Sequence, residues 1–243
     1  MLARMAAGRV KASVVIATYN ERENIGKLVK DVERVLSDSR IPGEIIIVDD
    51  NSPDGTGEIA DRLAKRYSNV RVVHRKGKLG LGTAYIAGEK AAKGGVIITM
   101  DADLSHPPSA IPAMMRAIFN GADVVLGSRY VKGGEIRNWN AYRRAVSKGA
   151  NTMARLMLGV KASDLTTGYR AYRRSALERL GFDRMRSTGY SFLMEVVCKA
   201  ERKGLVVAEV PIVFTDRVGG KSKLGFKEQV GFARRVARLA ISR

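Results

Sequence analysis

Gly95-Val96-Ile97-Ile98-Thr99-Met100-Asp101-Ala102-Asp103 joins an apolar, β-branched run directly to two carboxylates one residue apart. The run reads as a buried strand. Period-2 alternation sends the side chains of Asp101 and Asp103 to the same side. Two anions side by side repel unless positive charge lies between them. A hard divalent cation with oxygen ligands neutralises such a pair and can also hold a diphosphate. A strand end that opens a turn with two solvated aspartates is the other reading, so the surroundings of the pair carry weight.

Upstream, the chain alternates strand and helix. Residues 12–18, 44–48, 70–74 and 124–127 are short apolar runs like 96–100, and each reads as a strand. Between them, residues 23–36, 56–67, 82–93 and 111–120 read as helices; the first carries Ile25, Leu28, Val29, Val32, Val35 and Leu36 at helical spacing. This alternation predicts βαβ units and a mainly parallel sheet flanked by helices. Ligands of such sheets bind outside the carboxyl ends of the strands. Asp49, Asp50, Asp101, Asp103, Ser128 and Arg129 all share that address.

Downstream the pattern changes. Residues 140–158 read as a helix with Arg143, Arg144, Lys148 and Arg155 on one side and Met153, Leu156, Met157 and Leu158 on the other. Residues 206–214 read as one apolar strand. Residues 216–223 are glycine-rich and basic, and residues 226–243 read as an amphipathic basic helix with Phe226, Val230, Ala233, Val236, Ala237 and Ala240 on one face. We expect a catalytic domain over residues 1–223 and a tail helix over 224–243 that faces a membrane interface or a partner.

The chain has 243 residues, 45% of them hydrophobic, which is enough for a full core. The formal net charge of +19 points to anionic partners: nucleic acid, an anionic membrane or phosphate-bearing small molecules. Aromatic residues make up only 6%, and no helix-turn-helix, zinc-finger or RNA-recognition motif is present, so nucleic acid is not expected as a partner. The single cysteine, Cys198, excludes a disulfide within one chain and fits a reducing compartment. Two histidines, His74 and His106, are too few for a zinc site without other ligands. No secretory signal is expected at the N-terminus, nor any apolar stretch of ~18 residues that spans a bilayer.

Several segments carry candidate chemistry. A carboxylate at Asp49-Asp50 can accept hydrogen bonds from ribose or a base, or can build an Asx-turn with Asn51, Ser52 and Asp54. Gly77-Lys78-Leu79-Gly80-Leu81-Gly82 lacks both the P-loop ending and the dinucleotide spacing, so it is either a loop that lets backbone approach a nucleotide or an ordinary strand-to-helix turn. Arg129, Arg143, Arg144, Arg217 and Lys223 are candidate phosphate ligands, and each is equally able to be a solvated surface charge. Glu195, set among apolar residues, is either paired with a basic neighbour or functional.

The ordered set of motifs resembles the family 2 glycosyltransferases. It comprises Ala17-Thr18-Tyr19-Asn20-Glu21, Val48-Asp49-Asp50-Asn51-Ser52-Pro53-Asp54-Gly55-Thr56, Lys78-Leu79-Gly80-Leu81-Gly82, Met100-Asp101-Ala102-Asp103-Leu104-Ser105-His106-Pro107 and Gly127-Ser128-Arg129-Tyr130. Asp164-Leu165-Thr166-Thr167-Gly168-Tyr169-Arg170 and Arg217-Val218-Gly219-Gly220-Lys221-Ser222-Lys223 extend it. Within the family the set is similar to the dolichol-phosphate mannose synthases.

The resemblance implies a GT-A (Rossmann-like) fold and an inverting transfer of mannose from GDP-mannose to dolichyl or another polyprenyl phosphate. A UDP-glucose donor is the alternative. It implies that Ala17, Thr18, Tyr19, Glu21, Val48, Asp49, Asp50, Lys78 and Ala102 line the nucleotide-sugar site, with Asp101, Asp103, Arg217 and Lys223. Asp101, Asp103 and Ser105 would bind Mg²⁺ or Mn²⁺; Ser105 stands where some relatives carry a ligating Gln, and its shorter hydroxyl would act directly or through water. Arg129, Arg143 and Ser147 would hold the acceptor phosphate. Asp103, Arg129 and Arg217 are the expected catalytic residues, and Ser222 joins Arg217 and Lys223 on a loop that closes over the donor. The expected setting is peripheral, on the cytoplasmic face of a membrane, with small membrane-anchoring subunits as partners. Many relatives continue into transmembrane helices, so the chain is expected to be a catalytic subunit without them or a truncated form.

Overall fold

The computed structural model describes residues 11–185, 187, 189–216, 234, 236–237 and 239–241. Seven strands form the main sheet: β1 (Ala12–Thr18), β2 (Gly43–Asp49), β3 (Val70–His74), β4 (Val96–Asp101), β5 (Val124–Ser128), β7 (Arg170–Arg173) and β8 (Val207–Pro211). Their spatial order is β3-β2-β1-β4-β7-β5-β8, and β7 is antiparallel to both neighbours while every other pairing is parallel. A two-stranded parallel ribbon, β6 (Glu135–Arg137) with β9 (Val213–Thr215), lies beside it.

The helices cover both faces. Alternation along β1 splits the core: Val14 and Ile16 meet α1 (Ile25–Asp38), α2 (Thr56–Arg66) and α4 (Ile111–Phe119), while Val15 faces α3 (Leu81–Ala91) and α7 (Gly189–Arg202). α1 buries Ile25, Leu28, Val29, Val32 and Leu36, at about 1.5–3 kcal/mol per side chain. α3 lies so close to the sheet that a Cβ on Gly88 would come within 2.2 Å of Val15 Cγ1, so only glycine fits there.

α5 (Ala141–Leu158) starts at Asn140, whose side chain accepts the Arg143 amide, and ends at Gly159 in the left-handed conformation. It buries only Asn151, Ala154 and Leu158. Of the apolar side read from the sequence, Leu158 is buried, while Met153, Leu156 and Met157, together with Tyr142, are exposed.

Three sequence expectations need correction. The apolar run 206–214 is two strands, because the chain leaves the main sheet at Pro211 and Ile212 to form β9 in the ribbon. β7 and the helix after it, α6 (Arg174–Leu180), were not anticipated. In the tail, Val236 is fully buried and Leu239 and Ala240 pack on the core, so this part of the expected apolar face turns to the protein. Phe226, Val230 and Ala233 lie outside the described residues.

Candidate active site

The carboxyl ends of β1, β2 and β4 lie side by side. Ala17 is in register with Val48 on one side and Asp101 on the other, and Thr18 is in register with Asp49. The chain turns sharply after each strand, with Asn20, Asn51 and Leu104 all at positive φ. Leu104 at φ 62° is strained for a branched side chain, by about 1–3 kcal/mol.

Asp49 is buried and engaged internally. Its carboxylate accepts the Ser52 hydroxyl at 2.6 Å, the Ser52 amide at 3.2 Å and the Thr18 hydroxyl at 3.3 Å. The carboxylate thus closes the turn after β2 by binding the amide three residues on. Asp50 differs: its Oδ1 lies 3.2 Å from Arg75 Nε as an ion pair but makes no hydrogen bond, and Arg75 Nη1 is likewise buried without one. Burial pushes the Asp50 carboxyl up, against the pull of Arg75. Lys78 sits 4.3 Å over the ring of Tyr19, so the glycine-rich loop meets the end of β1. The Glu21 amide binds the Thr56 hydroxyl and its carboxylate accepts Asn24. Val48 and Ala102 are buried in the core and offer backbone only.

Asp101 and Asp103 are half-buried on either side of buried Ala102, as alternation requires. Each commits one oxygen to the protein. Asp101 Oδ1 accepts the Tyr85 hydroxyl at 2.6 Å, and Asp103 Oδ1 accepts the Ser105 hydroxyl at 2.5 Å and amide at 3.1 Å. The Ser105 hydroxyl is thus turned onto Asp103 rather than held out as a separate ligand. No lysine or arginine among the described residues pairs with either aspartate. The pair therefore fits a hard divalent cation: two carboxylate donors whose nearest basic neighbour among the described residues is His106, with Nδ1 3.9 Å from Asp101 Oδ2. Among the described residues no group of three or more His, Cys, Asp or Glu forms a cage. A cation held by these two residues would need further oxygen ligands, which a diphosphate could supply.

The second half supplies the cations. Arg129 follows β5 and is clamped by buried Asp164, with Nε to Oδ2 and Nη2 to Oδ1 both at 2.7 Å, and Nη2 also reaches Thr166 at 2.8 Å. Burial works against both charges, yet the pairing holds the Asp164 carboxyl below the usual range and Arg129 above its own. Arg143 stacks on Trp139, 3.9 Å from the ring centroid, and binds Asp216 at 2.6 Å. Ser147 meets the Tyr130 hydroxyl at 2.7 Å. The Arg129 guanidinium lies over the same Tyr130 ring and near Trp139. Arg129, Arg143 and Ser147 thus form one cluster. Trp139 Nε1 and Arg143 Nε are buried donors without a partner. Such groups cost about 1–3 kcal/mol each until an acceptor such as phosphate arrives.

Phe214 joins the two clusters. Its ring is 5.9 Å from that of His106, whose Nδ1 accepts the Asp101 amide, and 5.2 Å from the Arg129 guanidinium. Sequence reasoning missed Tyr85, Arg75, Trp139, Asp164 and Phe214 as site residues; Asp164 lay inside a quoted motif, and Trp139 is the sole tryptophan. Glu195 is paired, with Lys199 at 2.5 Å and with Ser187. Arg144 is exposed. Arg217, Ser222 and Lys223 lie outside the described residues.

The model of the family described as "Glycosyl transferase family 2" matches residues 13–181. A polyprenol monophosphomannose synthase of Mycolicibacterium smegmatis is 46% identical over 215 residues, covering 87% of this chain and 80% of that protein. A dolichol-phosphate mannosyltransferase of Pyrococcus furiosus is 41% identical over 232 residues, covering 95% of this chain but only 64% of that protein. Among solved structures, glucosyl-3-phosphoglycerate synthase from Mycobacterium tuberculosis with Mn²⁺, UDP and phosphoglyceric acid superposes with a TM-score of 0.68 at 23% identity, over 97% of this chain and 78% of that one. The same enzyme has been solved with Mg²⁺ and UDP, at a TM-score of 0.68 and 22% identity, over 97% of this chain and 79% of that one. At that identity the likeness speaks for the α/β fold.

Proposed function

The chain belongs to glycosyl transferase family 2, and on that premise we propose that it transfers mannose from GDP-mannose to a polyprenyl phosphate such as dolichyl phosphate. The observation that carries the reading is 46% identity to a polyprenol monophosphomannose synthase over most of both chains. The geometry supports it: open carboxylates and a basic phosphate cluster meet across Phe214.

The donor binds along the ends of β1, β2 and β4, with its nucleoside near Tyr19, Lys78 and Asp50. Asp101 and Asp103 hold Mg²⁺ or Mn²⁺, which neutralises charge on the departing diphosphate. Arg129, Arg143 and Ser147 take the acceptor phosphate. A phosphate monoester is already anionic near neutral pH, so these residues position it and no strong general base is needed. One acceptor oxygen bonds to the anomeric carbon as the bond to the nucleoside diphosphate breaks. In-line displacement inverts the centre and gives a β-linked mannosyl phosphate from an α-linked donor. Arg217 and Lys223 steady the leaving group.

The lipid substrate implies contact with a membrane surface. No helix among the described residues is long and apolar enough to cross one. The exposed Tyr142, Met153, Leu156 and Met157 of α5, flanked by exposed Arg144, Lys148 and Arg155, suit the interfacial layer of an anionic membrane. Small anchoring subunits and a cytoplasmic-face location fit the same reading.

The test is transfer of labelled mannose from GDP-mannose to a short polyprenyl phosphate with Mn²⁺ or Mg²⁺ present. Label in the lipid fraction that disappears with chelator is the expected result. Transfer from UDP-glucose alone reassigns the donor, and no transfer from either overturns the reading.

A further inference from the structure

We propose that Tyr85 is a positioning residue for the candidate cation site: its hydroxyl fixes one oxygen of Asp101 so that the other faces the diphosphate. Tyr85 is fully buried on α3, and only its hydroxyl reaches the site, donating to Asp101 Oδ1 at 2.6 Å. A buried phenol needs a partner, and core burial of the ring leaves this oxygen little freedom to find another.

The opposite wall is built around the same bond. A Cβ on Gly168 would lie 2.8 Å from Tyr85 Oη and 3.2 Å from Asp101 Oδ1, so the absence of a side chain at 168 makes room for the pair. The Gly168 carbonyl is held in turn by the buried Thr99 hydroxyl at 2.8 Å. The start of α3 is anchored as well. The Thr83 hydroxyl donates to the Leu79 and Gly80 carbonyls and receives Arg75 Nη2 at 2.8 Å. One short helix therefore runs from the glycine-rich loop, beside Asp50 and Lys78, to the carboxylate of Asp101.

A carboxylate held by an outer hydrogen bond binds a metal without first losing rotational freedom, and loss of such a partner typically weakens metal affinity about 10–100-fold. The proposal rests on the reading that Asp101 ligates a divalent cation. A role in packing alone predicts a change in stability and none in metal affinity.

The experiment titrates Mn²⁺ into GDP-loaded protein, reading free Mn²⁺ by electron paramagnetic resonance, for wild type, Tyr85→Phe and Gly168→Ala. Metal-free GDP affinity and thermal melting are measured alongside. Tyr85→Phe is expected to weaken Mn²⁺ binding about tenfold with GDP affinity and melting unchanged. Gly168→Ala, which crowds the same bond from the other side at 2.8 Å from Tyr85 Oη, is expected to weaken Mn²⁺ binding as well, with a lowered melting temperature, and decides the matter if Tyr85→Phe does not fold. Wild-type Mn²⁺ affinity in the folded variant overturns the role of Tyr85. Failure of the wild-type protein itself to take up Mn²⁺ overturns the cation reading, and Tyr85's role with it.

Discussion

α1 and α5 are both amphipathic, and they use their apolar residues in opposite ways. α1 turns its apolar stripe onto the sheet and leaves charges outside. α5 gives the core only Asn151, Ala154 and Leu158, and keeps Tyr142 and Leu156 more than 70% exposed. The same contrast divides the molecule. The half built on β1 to β4 is regular and parallel, and presents carboxylates. The half built on β5 to β9 is irregular, presents arginines, and carries an apolar surface that its own core does not claim. Amphipathicity in a sequence states that a helix has an apolar side; it does not state what meets that side.

The largest expected effect breaks the carboxylate half. Asp103→Ala should lower transfer by at least about 10³-fold, as loss of several kcal/mol of charge stabilisation implies, with the melting temperature nearly unchanged. Full turnover in that variant removes the cation role.

Next is the arginine half. Asp164→Asn leaves Arg129 buried without its counter-charge, which should cost on the order of 3 kcal/mol in urea unfolding and raise the acceptor KM more than the donor KM. The pH dependence has a definite sign. The folded Asp164 carboxyl titrates below its unfolded value, because contact with Arg129 outweighs burial. Its contribution is complete above about pH 4 and is lost as pH falls through the lower folded value. The stability gap between wild type and variant should therefore close on acidification; a gap that widens contradicts the assignment.

The smallest effect sharpens the contrast between the two helices. Leu28→Ala in α1 should cost about 2–5 kcal/mol, whereas Leu156→Ala in α5 should stay within about 0.5 kcal/mol. Leu156→Ala should instead reduce flotation with anionic vesicles at low salt. Equal destabilisation at both positions would show that α5 is covered by protein.

The carboxylate half was readable in the sequence because each strand is a short apolar run, and two of these runs pass directly into aspartates, at Asp49 and Asp101. The strands at 12–18 and 70–74 match residue for residue, those at 96 and 124 run one residue further at their carboxyl ends, and β2 runs one residue further at each end. The other half hid for physical reasons. β7 reads Arg170-Ala171-Tyr172-Arg173, which looks polar, yet Arg170 is fully buried with its guanidinium on the Leu165, Thr167 and Leu193 carbonyls. Local pattern does not show that two carbonyls just upstream and one from α7 will together satisfy an arginine. Asp164 stands in a quoted motif with no role of its own, and its partner shows only where the 164–168 segment meets Arg129 at the end of β5. Arg129, Arg143 and Ser147 were grouped through resemblance, and spacing alone did not group them.

β7 also sets an order of assembly. β5 has no direct neighbour on the β4 side until residues 170–173 exist, because β7 lies between them. A chain leaving the ribosome can close β3-β2-β1-β4 as soon as β4 emerges, with α1 to α3 already available to cover it. β5 must wait, tethered, for a strand made more than forty residues later. The carboxylate-bearing edge is thus finished early in translation, and the arginine-bearing side is the last part to lock into place.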